Sequence, residues 1–259
     1  MEDLERIVLE VLSDGAEQSL GELETRTMKA LGRKLPEDLY PETLETLKAR
    51  RLLSITGEKV KRSEPDFPER DLEAGIETFI SSEQAVTHLR LERGSTIWQK
   101  TARGGRAGTG TWSRPDFTIA TIRKRKYDPV RHLDLIALEL KNVAGSSVVA
   151  VHEALAHTRF AHYAYLVCPR SHLNASVQRA VRESCSQHGI GLLSFDLSVG
   201  SGNSPVFSAF RFEVDPRRQA PEPELVDNYI DDRFDVESQE RLSRIAGGQH
   251  DAGHDHRKS

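Results

Sequence analysis

The second half of the chain alternates between short apolar segments and longer amphipathic segments, and this alternation constrains the fold more than any other feature. Segments 133–141, 163–168 and 191–195 predict strands, and the segments between them, 149–162 and 173–188, predict helices. Strands that alternate with helices lie parallel in one sheet, because each helix returns the chain to the end where the previous strand began. The sequence therefore predicts an α/β domain.

This domain begins after a short linker. Residues 63–68 hold two prolines in six positions, which disfavours a continuing helix and predicts the linker. The periodicity then predicts a helix over 69–80, a strand over 96–100 and a strand over 116–122, with a basic connection at 123–126. We expect the α/β domain to cover residues 69–214, with a mixed sheet flanked by helices.

Residues 1–62 form a separate pattern of three short helices and a hairpin. Ser19 predicts a helix N-cap with Glu22 three residues later, and the third helix is predicted over 41–51. This order resembles a small winged-helix domain. The resemblance implies that Lys48 and Arg51, near the end of the third helix, contact DNA, although winged helices also serve as protein interaction modules.

Charge is segregated along the chain although the net charge is only −4. Twelve basic residues face five acidic ones over 86–142, whereas seven basic residues face twelve acidic ones over 213–259. The central block is a candidate polyanion footprint. Because the segment beyond about 215 is acidic and contains prolines, we expect residues 215–259 to form a loosely ordered tail.

Composition excludes several classes of protein. The longest apolar runs fall short of the roughly 18 to 20 residues that cross a bilayer, and the first residues are acidic where a secretory signal is basic. The two cysteines, Cys168 and Cys185, lack the spacing of a zinc site and are expected to be reduced thiols. We expect a cytoplasmic protein without a membrane partner.

Acidic residues stand at two places where a buried strand would not carry them. Asp116 begins one strand, and on the later strand Glu139 and Lys141 share the face of Leu135 and Ala137 by the two-residue period. Burying these charges is costly unless they are compensated. A divalent cation such as Mg²⁺ compensates two carboxylates and completes its shell with phosphate oxygens and water.

The spacing of these residues resembles a known motif. Pro115-Asp116, a spacer of twenty-two residues and Glu139-Leu140-Lys141 are similar to the PD-(D/E)xK motif of the restriction-endonuclease-like nuclease superfamily. The helix before the motif, and the helix and strand after it, also look like that superfamily's core order, so the resemblance covers about residues 69–196. It implies a restriction-endonuclease-like sheet and a metal-dependent phosphodiesterase that hydrolyses DNA, an endodeoxyribonuclease used in restriction or defence.

The resemblance also implies a role for each motif residue. Asp116, Glu139 and the backbone carbonyl of Leu140 would hold Mg²⁺, for which Mn²⁺ would substitute, and Glu73 would add a further acidic ligand. Lys141 would orient or deprotonate the attacking water and steady the charge that accumulates on phosphorus.

We expect a set of basic residues near the motif to neutralise phosphates of the DNA, namely Arg103, Arg106, Arg114, Lys124, Arg125 and Lys126. Because one such centre cuts one strand, double-strand cleavage would need a homodimer.

Other interpretations remain open or fail on chemistry. The chief alternative is a non-catalytic DNA-binding regulator that uses a nuclease-like fold as scaffold, and a third interpretation takes both domains as protein interaction modules.

His152, His157 and His162 are spaced five residues apart, which turns successive imidazoles by about 140° around a helix, so they do not share one metal. The glycine-rich loop 104–110 lacks the GK[ST] ending of a P-loop, so no nucleotide cofactor is expected.

Overall fold

The computed structural model describes residues 2–12, 16–33, 36, 38–102, 114–124, 126–128, 130–170, 175–200 and 204–248. The first part of the chain holds three helices and three short strands: α1 (Glu2–Val11), β1 (Gln18–Ser19), α2 (Leu20–Leu31), α3 (Leu39–Ala49), β2 (Leu53–Thr56) and β3 (Lys59–Arg62). The predicted three helices and hairpin are confirmed, and β1 adds a third strand to give the sheet order β1-β3-β2.

Apolar side chains from all three helices and the hairpin form the core of this part, with Val8, Leu12, Leu23, Leu47 and Val60 fully shielded from solvent. Ser19 caps α2 as predicted, because its Oγ accepts from the backbone N–H of Glu22 at 3.2 Å. The helix ends at Gly32, whose φ of 67° is the left-handed conformation that favours glycine.

The second part of the chain begins at Glu69. Its elements are α4 (Glu69–Ile80), α5 (Glu83–His88), β4 (Thr96–Lys100), β5 (Phe117–Lys124), β6 (Arg131–Leu140), α6 (Val148–Ala156), β7 (Tyr163–Pro169), α7 (Ala175–His188), β8 (Gly191–Val199), β9 (Pro205–Val214), α8 (Pro223–Arg233) and α9 (Val236–Ala246). A single 3-10 turn, His157–Arg159, follows α6. The sequence did not anticipate α5 or β9.

The six strands form one mixed sheet in the order β4-β5-β6-β7-β8-β9. Strands β4, β5 and β6 form an antiparallel meander, whereas β6, β7 and β8 run parallel, with α6 and α7 as the connections between them. The parallel arrangement predicted from the alternation is confirmed. Strand β9 closes the far edge antiparallel to β8.

Helices cover both faces of this sheet, so the domain has three layers. On one face, α4 and α5 pack against the odd positions of β5 and even positions of β6, such as Ile119 and Ile136. On the other face, α6 to α9 pack against alternate residues such as Ala120, Leu135 and Ala137. A Cβ at Gly75 of α4 would overlap the ring of Phe207, so glycine permits the close approach of α4 to β9.

The prediction of a loosely ordered tail is wrong for residues 216–248. Helices α8 and α9 fold back onto the sheet and bury Val226, Tyr229, Ile230 and Ile245 in the core beneath it. The phenol of Tyr229 stacks on the ring of Phe160 with centroids 3.8 Å apart. Most acidic residues of this segment are exposed, on the solvated side of helices whose apolar side supplies the burial, which offsets the polar composition. Residues 249–259 lie outside the described residues.

Among the helices that the structure describes, none is long and apolar enough to span a bilayer.

Candidate active site

The antiparallel pairing of β5 and β6 places the motif carboxylates side by side. Phe117 pairs with Leu138, so Asp116, one residue before β5, lies opposite Glu139 near the end of β6. One carboxylate oxygen of Asp116, Oδ2, accepts a hydrogen bond of 2.7 Å from the backbone N–H of Leu140. Residues two apart on a strand point to the same face of the sheet. Asp116 therefore shares the face of Thr118, and Glu139 shares the face of Ala137, which is the face that α6 covers.

Both oxygens of the Glu139 carboxylate have partners. Nζ of Lys141 lies 2.7 Å from Oε1, and Nε2 of His157 lies 2.8 Å from Oε2. Because a carboxylate only accepts, Nε2 of His157 donates in this bond. The imidazole is completely buried, and within the described residues its Nδ1 has no hydrogen-bond partner.

Two further carboxylates reach Lys141 from the flanking helices. Oε2 of Glu153 on α6 lies 2.8 Å from Nζ, and Oε1 of Glu69 at the start of α4 lies 4.0 Å from it. The structure therefore brings Glu69 to the cluster, whereas the predicted ligand Glu73 forms an ion pair of 3.0 Å with Lys100. Residues 69 and 73 are one helical turn apart, so a single sequence window does not distinguish them.

The two motif carboxylates titrate in opposite directions. Burial raises the pKa of Asp116 to about 7, and the neighbouring charge of Glu139 adds to the rise. Burial also acts to raise the pKa of Glu139, but hydrogen bonds from His157 and Lys141 outweigh burial and hold the pKa below its usual value. Near neutral pH the pair carries one firm negative charge on Glu139 and one that titrates on Asp116.

Lys141 is held as a cation. Burial opposes the charge, yet the hydrogen bonds to Glu139 and Glu153 raise the pKa of Lys141 well above its usual value. Of the two roles expected for this lysine, orienting a water molecule and steadying negative charge fit a protonated amine, whereas taking a proton does not.

The donor set fits a hard divalent cation that shares its shell with a substrate. Within the described residues, no group of three or more His, Cys, Asp and Glu side chains is placed to hold a metal ion. Mg²⁺ is usually bound through one or two carboxylates together with phosphate oxygens and water, which Asp116 and Glu139 can supply without a third side chain.

The predicted basic residues do not all lie near this cluster. Arg114 is exposed and precedes Asp116 by two residues, so it lies at the same end of the sheet. Lys124 is the last residue of β5, eight residues from Asp116, which corresponds to about 26 Å along a strand. Lys124 therefore lies far from Asp116, at the other end of β5, and Lys126 follows it, so their expected contact with DNA phosphates stays a prediction. Arg103, Arg106 and Arg125 lie outside the described residues.

In the N-terminal part, the exposed face of α3 is mixed in charge. Lys48 is ion-paired with Glu45 at 3.3 Å, and Glu42 is exposed on the same helix. Arg51 is exposed, with a positive φ of 54°. These charges give α3 no uniformly positive surface.

The histidines singled out by the sequence have three different partners, in agreement with the argument against a shared metal. The ring of His152 lies beside that of His188, with centroids 5.2 Å apart, and Nδ1 of His162 accepts from the backbone N–H of Leu135 at 3.0 Å. Only His157 joins the acidic cluster. Sequence reasoning missed this role, because it depends on the end of α6 at Ala156 and the 3-10 turn that follows.

The chain matches no protein-family model, no curated protein and no solved structure.

Proposed function

We propose that the chain is a Mg²⁺-dependent endonuclease that hydrolyses phosphodiester bonds in DNA, with Asp116, Glu139 and Lys141 as its catalytic residues. The observation that carries the proposal is the juxtaposition of two carboxylates from neighbouring strands, buried Glu139 and partly buried Asp116, with a protonated lysine bonded to Glu139. A core position that serves only packing has no use for three charged groups, because their burial is costly.

The order of elements supports the same proposal. The chain forms a helix, a three-stranded antiparallel meander, a helix and a parallel strand, in that order. The motif residues lie at the ends of the second and third strands of this sheet, β5 and β6. This order resembles the core of the restriction-endonuclease-like superfamily over residues 69–196. The resemblance of residues 1–62 to a winged helix adds a second DNA-contacting module to the proposal.

Each residue then has a defined task. Asp116 and Glu139, with the backbone carbonyl of Leu140, hold the cation, which supplies Lewis acidity to the phosphate and lowers the pKa of a bound water. His157 and Lys141 fix the two oxygens of Glu139, and Glu153 and Glu69 hold Lys141 in place. Lys141 orients the attacking water and steadies the negative charge that develops on the phosphate oxygens.

The proposal includes two further features. Mn²⁺ substitutes for Mg²⁺, because both accept carboxylate and phosphate oxygens. Cleavage of both strands requires two copies of the chain, since one centre cuts one strand, and use in restriction or defence agrees with such an activity.

The test is incubation of the purified protein with plasmid DNA and with short RNA, in Mg²⁺ or in EDTA. Wild type cleaves DNA only in Mg²⁺, Glu139→Ala and Lys141→Ala do not, and Glu183→Gln, an exposed change on α7, cleaves like wild type. Metal-dependent cleavage that survives in both motif variants would remove the site. A wild-type protein that cleaves no substrate but binds DNA would instead favour the non-catalytic regulator.

A further inference from the structure

A cavity of about 110 Å³ opens at the end of the sheet opposite to the acidic cluster. The residues that line it include Arg90, which follows α5, Arg123 of β5, and Tyr163 and Tyr165 of β7. Arg123 lies seven residues from Asp116, which corresponds to about 23 Å along β5. The cavity is therefore separate from the proposed active site.

Arg123 is fixed in this cavity with part of its hydrogen-bonding capacity unused. Its Nη2 donates to Oδ2 of Asp134 at 2.6 Å, and its guanidinium lies 5.8 Å from the centre of the Tyr163 ring. Asp134 also accepts from Arg218 at 3.0 Å, so one buried carboxylate serves two guanidiniums. Nε of Arg123 is buried and, within the part of the chain that the structure describes, has no acceptor. Because this atom has no contact with solvent, a ligand in the cavity would meet the exposed 20% of the Arg123 side chain instead.

Arg90 is the second cation of the cavity, and it occupies an unfavourable backbone conformation. Its φ is 55°, the left-handed region where glycine commonly ends a helix. Among the described residues, no carboxylate forms an ion pair with Arg90, whereas its neighbour Arg93 is paired with Glu83. A strained residue that keeps a long cationic side chain, where glycine would fit without strain, points to a function for that side chain.

Further basic residues lie at the same end of the sheet. Lys124 and Lys126 are exposed on the hairpin between β5 and β6, and Nζ of Lys126 lies 4.9 Å from the centre of the Tyr127 ring. Tyr127 is 88% exposed, so it offers a ring for stacking beside the ammonium group of Lys126. Among the described residues that line the cavity, one carboxylate, Asp215, accompanies the two arginines.

We propose that this cavity binds a phosphate group of a nucleic-acid backbone, with Arg90 and Arg123 as the cations that hold it. Guanidinium groups bind phosphate oxygens through paired charge-assisted hydrogen bonds. The extended basic hairpin favours a polymer over a single free phosphate, because it adds contacts beyond the volume of the cavity. The inference shares its ligand class with the proposed function but needs no cleavage.

The experiment measures binding of a fluorescent 30-base-pair duplex by anisotropy, in EDTA and over a range of salt concentrations. We expect Arg90→Ala and Arg90→Gly each to raise Kd about fivefold or more. Each should also lower the slope of log Kd against the logarithm of the salt concentration by about one, which corresponds to one lost phosphate contact. Arg93→Ala, which removes an exposed arginine three residues away, is the matched control and should change Kd less than twofold. Arg90→Gly relieves the backbone strain, so its Tm should equal or exceed that of wild type, which separates lost binding from lost folding.

Three results would overturn the inference. Equal Kd values for wild type and both Arg90 variants would show that the cavity does not bind the duplex. Equal losses of affinity in Arg90→Ala and Arg93→Ala would show that Arg90 acts only through general attraction between charges. A Tm increase of wild type, but not of Arg90→Ala, with inorganic phosphate or adenosine monophosphate, together with unchanged duplex binding, would assign the cavity to a small phosphate ligand instead. Because EDTA prevents metal-dependent cleavage, an inactive acidic cluster leaves these results unaffected.

Discussion

The backbone N–H of Leu140 donates a hydrogen bond of 2.7 Å to Oδ2 of Asp116, which ties the start of β5 to the end of β6. This bond favours the ionised carboxylate, but burial and the charge of Glu139 outweigh it, so that the pKa of Asp116 rises to about 7. Asp116 is therefore the group through which pH acts on the site.

We predict that the contribution of Asp116 to the free energy of unfolding falls as pH rises from about 4 to 7, measured in EDTA. The folded protein binds the Asp116 proton more tightly than the unfolded chain, whose carboxyl has a pKa near 3.9, so this contribution is complete below pH 4 and is lost as pH passes 7. Asp116→Asn lacks this titration and should gain about 1–3 kcal/mol relative to wild type between pH 5 and pH 8. Urea unfolding of both proteins across this range is the measurement, and parallel pH curves would contradict the prediction.

His157→Ala should weaken both folding and cation binding. It leaves Oε2 of Glu139 buried without a donor, which costs about 1–3 kcal/mol. It also removes the hydrogen bond that holds the Glu139 carboxylate in the orientation that the cation needs. We expect Mg²⁺ affinity to fall about 10-fold or more, as for other groups that orient a metal ligand. His157→Gln, which places an amide N–H near the same oxygen, should recover much of the affinity. If His157→Ala lowers stability and leaves Mg²⁺ affinity unchanged, the imidazole serves packing alone.

The two glutamates of α4 should differ in their effect on cleavage. Glu69 lies 4.0 Å from Nζ of Lys141, whereas Glu73 and Glu77 hold Lys100. Glu69→Gln should slow cleavage by about 10-fold, because it removes a carboxylate that positions the catalytic amine, and Glu73→Gln should stay within about twofold of wild type. Initial rates of plasmid nicking in saturating Mg²⁺ test this ranking. The reverse ranking would return Glu73 to the set of metal ligands.

The C-terminal helices should be necessary for folding. The phenol of Tyr229 forms a hydrogen bond of 2.7 Å with Oγ1 of Thr118 near the start of β5. Tyr229→Phe should cost about 1 kcal/mol, and Tyr229→Ala should cost about 3–5 kcal/mol, because it also removes the stacking on Phe160. Val236→Ala, at a side chain 68% exposed on α9, should stay within about 0.5 kcal/mol. Chemical unfolding gives all three values, and a neutral Tyr229→Ala would show that α8 is dispensable.

The sequence predicted the sheet and the convergence of the motif well, because both depend on short-range periodicity. Two-residue alternation placed Glu139 and Lys141 on the face of Ala137, and the structure has them there. Strand–helix alternation likewise predicted that β6, β7 and β8 run parallel.

Other features depended on information that periodicity does not carry. The position of His157 follows from where α6 ends, and the choice between Glu69 and Glu73 follows from how α4 lies on the sheet. The acidic composition of residues 215–259 concealed the apolar spacing of Val226, Tyr229 and Ile230, which was the signal for a packed helix. Lys124 was close to the motif along the sequence, but a full strand separates it from Asp116.

Titration of Mg²⁺ into wild type, Asp116→Asn and Glu139→Gln by calorimetry at pH 8 tests the central claim most directly. If the two carboxylates share one cation, wild type binds Mg²⁺ at one site, each variant loses that site, and the affinity of wild type falls as pH decreases through about 7. Equal Mg²⁺ binding by all three proteins would contradict the account, because the cation would then lie elsewhere or the pair would hold none.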